Sequence, residues 1–246
     1  MPIPGMLQPL RSPTETEVHV WTVLVSKSSD FLPDLQCLLS PEERAAAARF
    51  VYPADRVRYT VAHGILRRIL GEYLSLPPEE LKFEVSQHGK PALASRTGQP
   101  SLNFNLAHSG DVVVYGVTRS RLVGIDVEEI RSEIEVMDLA RHQFSKAEAD
   151  ALEALDESER IDAFFRCWTR KEAYLKARGE GLGYPLNHFS VSVGGAEKPA
   201  LLWVKDEPNA GEKWSLFHLN SPPGYMGAAM VEGTSVELRL FQPSFF

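Results

Sequence analysis

Two carboxylates stand two positions apart in residues 122–130, which read Leu-Val-Gly-Ile-Asp-Val-Glu-Glu-Ile. Apolar residues alternate there with Gly124, Asp126 and Glu128, and this period of two predicts a half-buried strand. Because side chains i and i+2 of a strand share a face, Asp126 and Glu128 point the same way, with Cα atoms about 6.5 Å apart. Hard oxygen ligands at that spacing suit Mg²⁺ or Mn²⁺. An edge strand with a solvated acidic face is the alternative interpretation.

A third carboxylate lies on a predicted helix within residues 160–179. The apolar residues of this helix recur at helical spacing and form one stripe, namely Ile161, Phe164, Phe165, Trp168 and Leu175. Glu172 falls near the middle of the stripe, where a carboxylate is costly unless a metal or a cation meets it. Lys176 follows four residues later and projects to the same side. If the stripe instead ends near Trp168, Glu172 is solvated and forms an ordinary helix ion pair with Lys176.

Together, the three acids and the lysine predict a metal site that handles a phosphate ester. Mg²⁺ in proteins usually keeps several waters and takes one or two carboxylates plus substrate phosphates. Glu172 is therefore open to a role as a ligand, as a base, or as both.

The composition limits the class of protein. With 246 residues, 43% hydrophobic and 24% charged, the chain can bury a sizeable core as one large domain or two small ones. A net charge of −7 argues against a general nucleic-acid binder but leaves room for a local basic patch. No run approaches the roughly 18 apolar residues that a membrane span needs.

Cysteine usage and the N-terminal residues bear on the compartment. Cys37 and Cys167 are far apart and in no metal-binding spacing, which indicates a reducing compartment, and we expect the cytoplasm. Cys167 lies on the Glu172 helix but off its apolar stripe, and no chemistry is assigned to it. Residues 1–17 contain four prolines and no apolar core, so we predict a flexible arm and not a signal peptide.

The first half of the chain predicts a strand followed by two helices. Residues 18–26 alternate as a strand, in which His19 is expected to face outward. Ser40 and Glu43 match the N-cap and N3 positions of a helix, and a second helix covers residues 54–74 after Pro53. Arginines on this pair of helices suit an anionic ligand, unless they only solvate two amphipathic helices. These arginines are Arg44, Arg49, Arg56, Arg58, Arg67 and Arg68.

Two polar turns come next, and the second half repeats the order of elements. Residues 87–91 form a turn that carries Lys90, and residues 102–111 run from a strand into a turn with His108 and Ser109. Ser145 and Glu148 form a second capping box, ahead of the Glu172 helix. The strands predicted after it are 189–193, 201–204, 214–219, 226–231 and 236–241.

The two halves therefore predict an α+β fold. It is a pseudo-twofold pair of similar subdomains, each a small antiparallel sheet packed with helices, with the ligand cleft between them. After the arm at residues 1–17, we place the N-terminal subdomain at residues 18–120. The C-terminal subdomain, which carries the metal site, covers residues 121–246.

Four motifs resemble, in order and spacing, those of the 4′-phosphopantetheinyl transferases. They are Gly-Lys-Pro at 89–91, Phe-Asn-Leu-Ala-His-Ser at 104–109, Gly-Ile-Asp-Val-Glu at 124–128 and Trp-Thr-Arg-Lys-Glu-Ala-Tyr-Leu-Lys at 168–176. The match is to the long, two-subdomain type that activates surfactin synthetase and similar synthases, and it covers roughly residues 18–231. The second pair of motifs is specific only in combination.

The resemblance implies an enzyme that transfers the phosphopantetheine arm of coenzyme A to a serine of an acyl or peptidyl carrier protein and releases adenosine 3′,5′-bisphosphate. It implies Mg²⁺, with Mn²⁺ as a substitute, on Asp126, Glu128 and Glu172. The implied catalytic residues are Glu172, which helps to deprotonate the serine, Lys176, which stabilises the leaving phosphate, and Glu128. The implied coenzyme A contacts are Lys90 and His108 on the 3′-phosphate, with Gly89 and Pro91 shaping the contact.

The sequence departs from that pattern around the 3′-phosphate. Some relatives carry lysines where this chain has Glu43 and Ala46, a serine where it has Ala107, and a threonine where it has Tyr59. We therefore expect arginines to substitute as coenzyme A contacts, and the candidates are Arg49, Arg56 and Arg58.

The resemblance also predicts the partners. We expect a monomer that binds coenzyme A and an acidic carrier protein, without nucleic acid or membrane, in lipid or secondary-metabolite biosynthesis. Residues 130–154 are the predicted docking segment, with Ile134, Val136, Met137 and Leu139 as apolar contacts. Two alternatives stay open, a carboxylate-metal nucleotide phosphodiesterase and a non-catalytic relative that only binds coenzyme A or a carrier.

Overall fold

A computed structural model describes residues 11–85, 89–94, 101–179 and 183–242 of this chain. Of the predicted turn at 87–91, residues 87 and 88 lie outside these ranges. Residues 1–10 of the predicted arm also lie outside the described part. Of the rest of that segment, Arg11 pairs with Glu17, Ser12 Oγ donates to the Tyr73 carbonyl, and Glu17 begins the first strand.

The first half contains a main sheet, a separate two-stranded hairpin and a group of helices around one long helix. Its strands are β1 (Glu17–Leu24), β2 (Phe83–Val85), β3 (Pro91–Leu93), β4 (Leu102–Ser109) and β5 (Val112–Arg119). Its helices are α1 (Val25–Ser28), α2 (Leu32–Leu38), α3 (Pro41–Ala48) and α4 (Pro53–Leu74). Helices α1 and α2 were not predicted from the sequence, because they are short and lack a clear period.

The second half is built from the same kinds of secondary-structure element. Its strands are β6 (Val123–Glu129), β7 (Phe189–Val191), β8 (Leu201–Val204), β9 (Trp214–Leu219), β10 (Tyr225–Glu232) and β11 (Glu237–Phe241). Its helices are α5 (Val136–Gln143), α6 (Lys146–Glu153) and α7 (Glu157–Arg178). None of the helices in the described ranges is both long and apolar enough to cross a membrane.

The internal repeat confirms the predicted α+β class. The antiparallel order β1-β5-β4 in one half matches β6-β10-β9 in the other. Each half also carries one 22-residue helix, α4 or α7, and each of these ends at a left-handed residue, Ser75 or Gly179. The hairpins β2-β3 and β7-β8 complete the correspondence.

The last strand crosses between the halves. β11 pairs in parallel with β1 on its free edge, so a division of the chain at residue 120 leaves β11 in the sheet of the other half. Phe241 of β11 stacks on Trp21 and packs against His19, with ring centroids 4.8 Å apart in both pairs. The C-terminal segment therefore ties the two halves together.

Each half anchors its long helix by the same buried ion pair. Both predicted capping boxes are present, at Ser40 and Glu43 and at Ser145 and Glu148. Each capping glutamate then accepts a hydrogen bond from the long helix, because Arg67 Nε lies 2.6 Å from Glu43 and Lys171 Nζ lies 2.7 Å from both carboxylate oxygens of Glu148. Removing one member of such a pair would leave an uncompensated buried charge, which would strongly destabilise the fold.

The prediction for His19 was wrong, and the burial of Cys167 does not follow from the predicted apolar stripe. His19 does not face outward but is 3% exposed, and its Nδ1 lies 2.8 Å from Tyr73 Oη, because β11 and the end of α4 cover that face of β1. Cys167 is fully buried although it lies off the predicted stripe, because α7 packs against the sheet on one side and against α5 and α6 on the other. A single-face stripe cannot describe a helix that is covered on several sides.

Candidate active site

The site is built where α7 lies directly on β6. A Cβ atom at Gly124 would overlap the carbonyl oxygen of Ala173 and the backbone nitrogen of Ala177. Only glycine therefore lets the helix backbone approach the strand this closely. Since Gly124, Asp126 and Glu128 share one face of β6, this approach brings the Glu172-to-Lys176 turn of α7 beside the two strand carboxylates.

Asp126 is the most enclosed group of the site. Its side chain is 2% exposed, its Oδ1 accepts a hydrogen bond from Lys176 Nζ at 2.5 Å, and its Oδ2 is buried without a hydrogen-bond partner. Burial raises the pKa of Asp126 to about 7, with Lys176 opposing the shift and Glu128 and Glu172 adding to it. The effect of desolvation on the pKa of Asp126 thus outweighs that of the ion pair with Lys176. Oδ2 of the same carboxylate still lacks a hydrogen-bond partner.

This raised pKa makes the stability of the metal-free protein pH-dependent. The native state holds the Asp126 proton over a range, from about pH 4 to about pH 7, in which the unfolded state has released it. The contribution of Asp126 to the free energy of unfolding therefore falls as pH rises through that range. We expect the difference in melting temperature between the wild type and Asp126→Asn, both in EDTA, to shift in favour of the variant from pH 4.5 to pH 8.

Comparing the two proteins cancels the contributions of titrating groups that do not interact with Asp126. His19 acts in the opposite direction, because burial lowers its pKa to about 4, so its contribution rises with pH. A pH-independent difference between wild type and variant would show that Asp126 is not the group responsible. Added Mg²⁺ at pH 8 should stabilise the wild type more than Asp126→Asn.

Glu128 and Glu172 complete the group of acids. Glu128 Oε2 accepts a hydrogen bond from Ser109 Oγ at 2.9 Å, and the same hydroxyl accepts from the backbone N–H of Glu129 at 3.0 Å. Glu172 is half-buried, and its pKa is raised by desolvation and by Glu128 while Lys176 lowers it. The three carboxylates are therefore electrostatic neighbours around one lysine.

The donors of this group fit a hard cation, but they are not arranged as a finished metal centre. Within the four described ranges, no three acidic, histidine or cysteine side chains are grouped so that they could hold a metal ion. The observation in favour is the unpartnered buried Oδ2 of Asp126, since a buried carboxylate oxygen normally has a hydrogen bond or a metal. Lys176 already neutralises Oδ1, so Oδ2 is the oxygen left for a cation.

Arg58 and His108 form a rim of nitrogen donors that borders the acids on the side of the first half. His108 ends β4 with its ring exposed, and desolvation together with Arg58 and Lys176 lowers its pKa. Arg58 pairs with Asp55 and donates to the carbonyl oxygen of Gly110 at 3.1 Å. Arg58 and His108 therefore lie near each other at the turn that also carries Ser109.

The other predicted coenzyme A contacts lie apart from this rim. Arg49 and Arg56 are exposed where α3 connects to α4, and Arg56 donates to the carbonyl oxygen of Phe50. Gly89 has a φ of +83°, and Pro91 begins β3. Lys90 Nζ donates to the carbonyl oxygens of Val123 at 2.9 Å and Lys176 at 2.6 Å, so it contacts the end of α7.

Comparisons with known proteins decide the family. A model of the 4′-phosphopantetheinyl transferase superfamily matches residues 122–226, and one for the N-terminal part of a 4′-phosphopantetheinyl transferase matches residues 24–119. The 4′-phosphopantetheinyl transferase HetI of Nostoc sp. is 36% identical over 230 residues, which are 94% of this chain and 92% of that protein. The chain belongs to the 4′-phosphopantetheinyl transferase superfamily.

Further relatives agree with the long type predicted for this transferase. The 4′-phosphopantetheinyl transferase Sfp of Bacillus subtilis is 32% identical over 155 residues, or 63% of this chain and 66% of that protein. The 4′-phosphopantetheinyl transferase psf-1 of Bacillus pumilus is 37% identical over 162 residues, or 66% and 67%. The predicted family and enzyme type are thus confirmed.

Two residues of this phosphopantetheinyl transferase site were not assigned from sequence. Ser109 links the first half to Glu128, and Tyr225 Oη accepts the backbone N–H of Asp111 at 3.0 Å. The sequence could have identified Ser109 as a site residue, since it stands in the polar turn beside His108. No sequence pattern identifies Tyr225, because its contact depends on β10 lying next to β6.

Proposed function

We propose that this transferase moves the 4′-phosphopantetheine arm of coenzyme A to a serine hydroxyl of an apo carrier protein and releases adenosine 3′,5′-bisphosphate, with Mg²⁺ required. The observation that carries the proposal is the meeting of Asp126, Glu128, Glu172 and Lys176 over Gly124. These residues supply the charge neutralisation that phosphoryl transfer needs.

Each residue has a distinct part in this scheme. Asp126, Glu128 and Glu172 would hold the Mg²⁺, which when bound neutralises charge on the pyrophosphate. The serine Oγ attacks the phosphorus that bears the pantetheine, and the bond from this phosphorus to the oxygen of the adenosine bisphosphate breaks. Glu172, whose pKa is raised by burial, accepts the serine proton, and Lys176 stabilises the negative charge on the departing phosphate.

The rim formed by Arg58 and His108 supports a site for the 3′-phosphate of coenzyme A. We assign it to Arg58 and His108, whereas coenzyme A contacts for Arg49, Arg56, Gly89 and Pro91, which lie apart from that rim, stay predictions. Arg58 and His108 are supported by their shared place beside Gly110. A phosphate contact for Lys90 stays a prediction, since two backbone carbonyls engage its amino group.

Arg58 offers a direct test of this assignment. We expect Arg58→Gln to raise the KM for coenzyme A about tenfold, because a charge-assisted hydrogen bond to the 3′-phosphate is lost. The KM for dephospho-coenzyme A, which lacks that phosphate, should change much less. Arg119→Gln, at an exposed position on β5, is the control. Equal increases for both forms of coenzyme A would remove Arg58 from the phosphate site.

The carrier protein is proposed to dock on residues 130–154. Leu139 is 40% exposed on α5 and is the apolar contact this surface offers most openly. Ile134 and Met137 are half-buried against the core, and Val136 is 8% exposed, so the predicted contact through Val136 is wrong. Val136 faces inward because α5 packs on α7 through it and Ala140. Leu139 is therefore the residue to substitute when carrier binding is tested.

We also propose that the enzyme is cytoplasmic and monomeric. Both cysteines are free thiols, one of them exposed, as suits a reducing compartment. The internal repeat supplies two halves, which meet at the Ser109–Glu128 hydrogen bond, within one chain.

Mass spectrometry of an intact apo carrier protein tests the reaction. The carrier is incubated with the enzyme, coenzyme A and Mg²⁺, and parallel samples contain EDTA. A gain of one phosphopantetheine arm that EDTA abolishes is the expected result. Coenzyme A binding without any gain across several acyl and peptidyl carriers would favour the non-catalytic alternative. Absence of both would favour the nucleotide phosphodiesterase.

A further inference from the structure

Lys90 connects the two halves of the fold at the C-terminal end of α7. It follows Gly89 at the end of the β2–β3 connection in the first half, whereas both of its carbonyl acceptors belong to the second half. One acceptor, Val123, begins β6, and the other, Lys176, lies in the last turn of α7. The amino group therefore bridges the strand and the helix that carry the site.

The Lys176 carbonyl is one that a helix alone leaves unsatisfied. The last four carbonyl groups of an α-helix have no N–H partner within the helix, and a cation there is also favoured by the helix dipole. α7 ends at Gly179 in the left-handed conformation, and a Cβ atom at Gly179 would lie 3.6 Å from Lys90 Cδ. The lysine stem thus passes beside the helix cap, and its charge caps the final turn.

The same turn presents the catalytic groups. The backbone of Lys176 is held by Lys90 at 2.6 Å, while its side chain reaches Asp126 at 2.5 Å. Glu172 stands one turn earlier on α7. Desolvation lowers the pKa of Lys90 to about 8, in agreement with an amino group enclosed among protein atoms. A shift of this turn would move Lys176 and Glu172 together.

We propose that Lys90 is a positioning residue, which fixes the last turn of α7 on β6 so that Lys176 and Glu172 stay beside Asp126. This role rests on the proposed function and replaces a phosphate contact as the main task of Lys90. A phosphate ligand would act mainly on the affinity for coenzyme A. A positioning residue acts on turnover, because a displacement of catalytic groups by about 1 Å can cost 10²-fold in rate.

The test compares Lys90→Met with Lys82→Met, an exposed lysine just before β2. We expect Lys90→Met to lower kcat on the order of tenfold to a hundredfold, as loss of an outer partner of a site typically does, with little change in the KM for coenzyme A. Lys90→Arg keeps a cationic donor and should recover part of the loss. Lys82→Met should resemble the wild type.

A double variant separates the positioning role from a direct one. If Lys90 acts by holding the turn that carries Lys176 and Glu172, then Lys90→Met should lower kcat by a smaller factor in the Lys176→Met background than in the wild type. Full additivity would contradict the proposal. So would a raised KM for coenzyme A with unchanged kcat, which would make Lys90 a ligand, and so would unchanged kinetics in Lys90→Met.

Hydrogen exchange tests, independently of catalysis, whether Lys90 holds the last turn of α7 in place. In Lys90→Met, amides of residues 172–179 should exchange faster than in the wild type or in Lys82→Met, because the final turn frays more easily. Unchanged amide protection of residues 172–179 would contradict the proposal that Lys90 holds this turn. If the wild type showed no transfer activity, the proposed function would fail, and the exchange experiment would still decide whether Lys90 holds α7.

Discussion

Glu172→Gln should nearly abolish transfer while leaving coenzyme A binding and the fold in place. We expect kcat to fall on the order of 10²–10⁴-fold, the range for loss of a general base, because the amide cannot accept the serine proton. The melting temperature of the metal-free protein should not fall, since burial and Glu128 already disfavour the charged form of Glu172. Single-turnover transfer to an apo carrier and calorimetric coenzyme A binding measure the two effects.

Glu159→Gln is the matched control, because Glu159 is exposed in the first turn of the same helix. It should leave both transfer and binding near the wild-type values. Wild-type turnover in Glu172→Gln would refute the assigned role of Glu172. Loss of coenzyme A binding as large as the loss in kcat would make this residue a binding group instead.

Gly124→Ala should damage the site without changing any group that takes part in the chemistry. The added methyl would overlap the backbone of α7 at Ala173 and Ala177, and no side-chain rotation can relieve a clash with backbone atoms. The helix must therefore move away from β6, which separates Glu172 and Lys176 from Asp126. We expect kcat to fall about 10²-fold, together with a lower melting temperature, since overpacking costs about 1–3 kcal/mol.

The control for this substitution is Gly183→Ala, where a Cβ atom meets nothing within 4 Å. That variant should match the wild type in both activity and stability. A Gly124→Ala enzyme with normal kcat would show that the close approach of helix and strand does not set the catalytic geometry. Circular dichroism of each purified variant checks that the fold is retained.

Local patterns in the sequence determined much of the frame. The strands Leu201–Val204 and Trp214–Leu219 were predicted with their full bounds, because alternation and flanking turn residues act over a few neighbours. Both capping boxes were also predicted, since each depends on two residues three positions apart. The shared face of Asp126 and Glu128 follows in the same way from the period of a strand.

The family resemblance supplied roles that local patterns cannot supply. Spacing alone left Glu172 open between a buried ligand and a solvated partner of Lys176. The structure places Glu172 half-buried near Asp126 and Glu128, and Lys176 pairs with the strand carboxylate of Asp126. The helical period was thus correct, whereas the partner of Lys176 was decided by the packing of α7 on β6.

What only the tertiary structure decided is which distant groups meet. The hydrogen bond from Lys90 to the Lys176 carbonyl joins residues 86 positions apart. The burial of His19 depends on β11. The buried, unpartnered Oδ2 of Asp126 depends on a helix that covers its strand. The physical reason is that helix and strand periods fix the face a side chain occupies, but burial and desolvation depend on what covers that face. By itself the sequence predicted most of the elements and the candidate reacting groups, whereas packing across the two halves determined the pKa values and contacts of these groups.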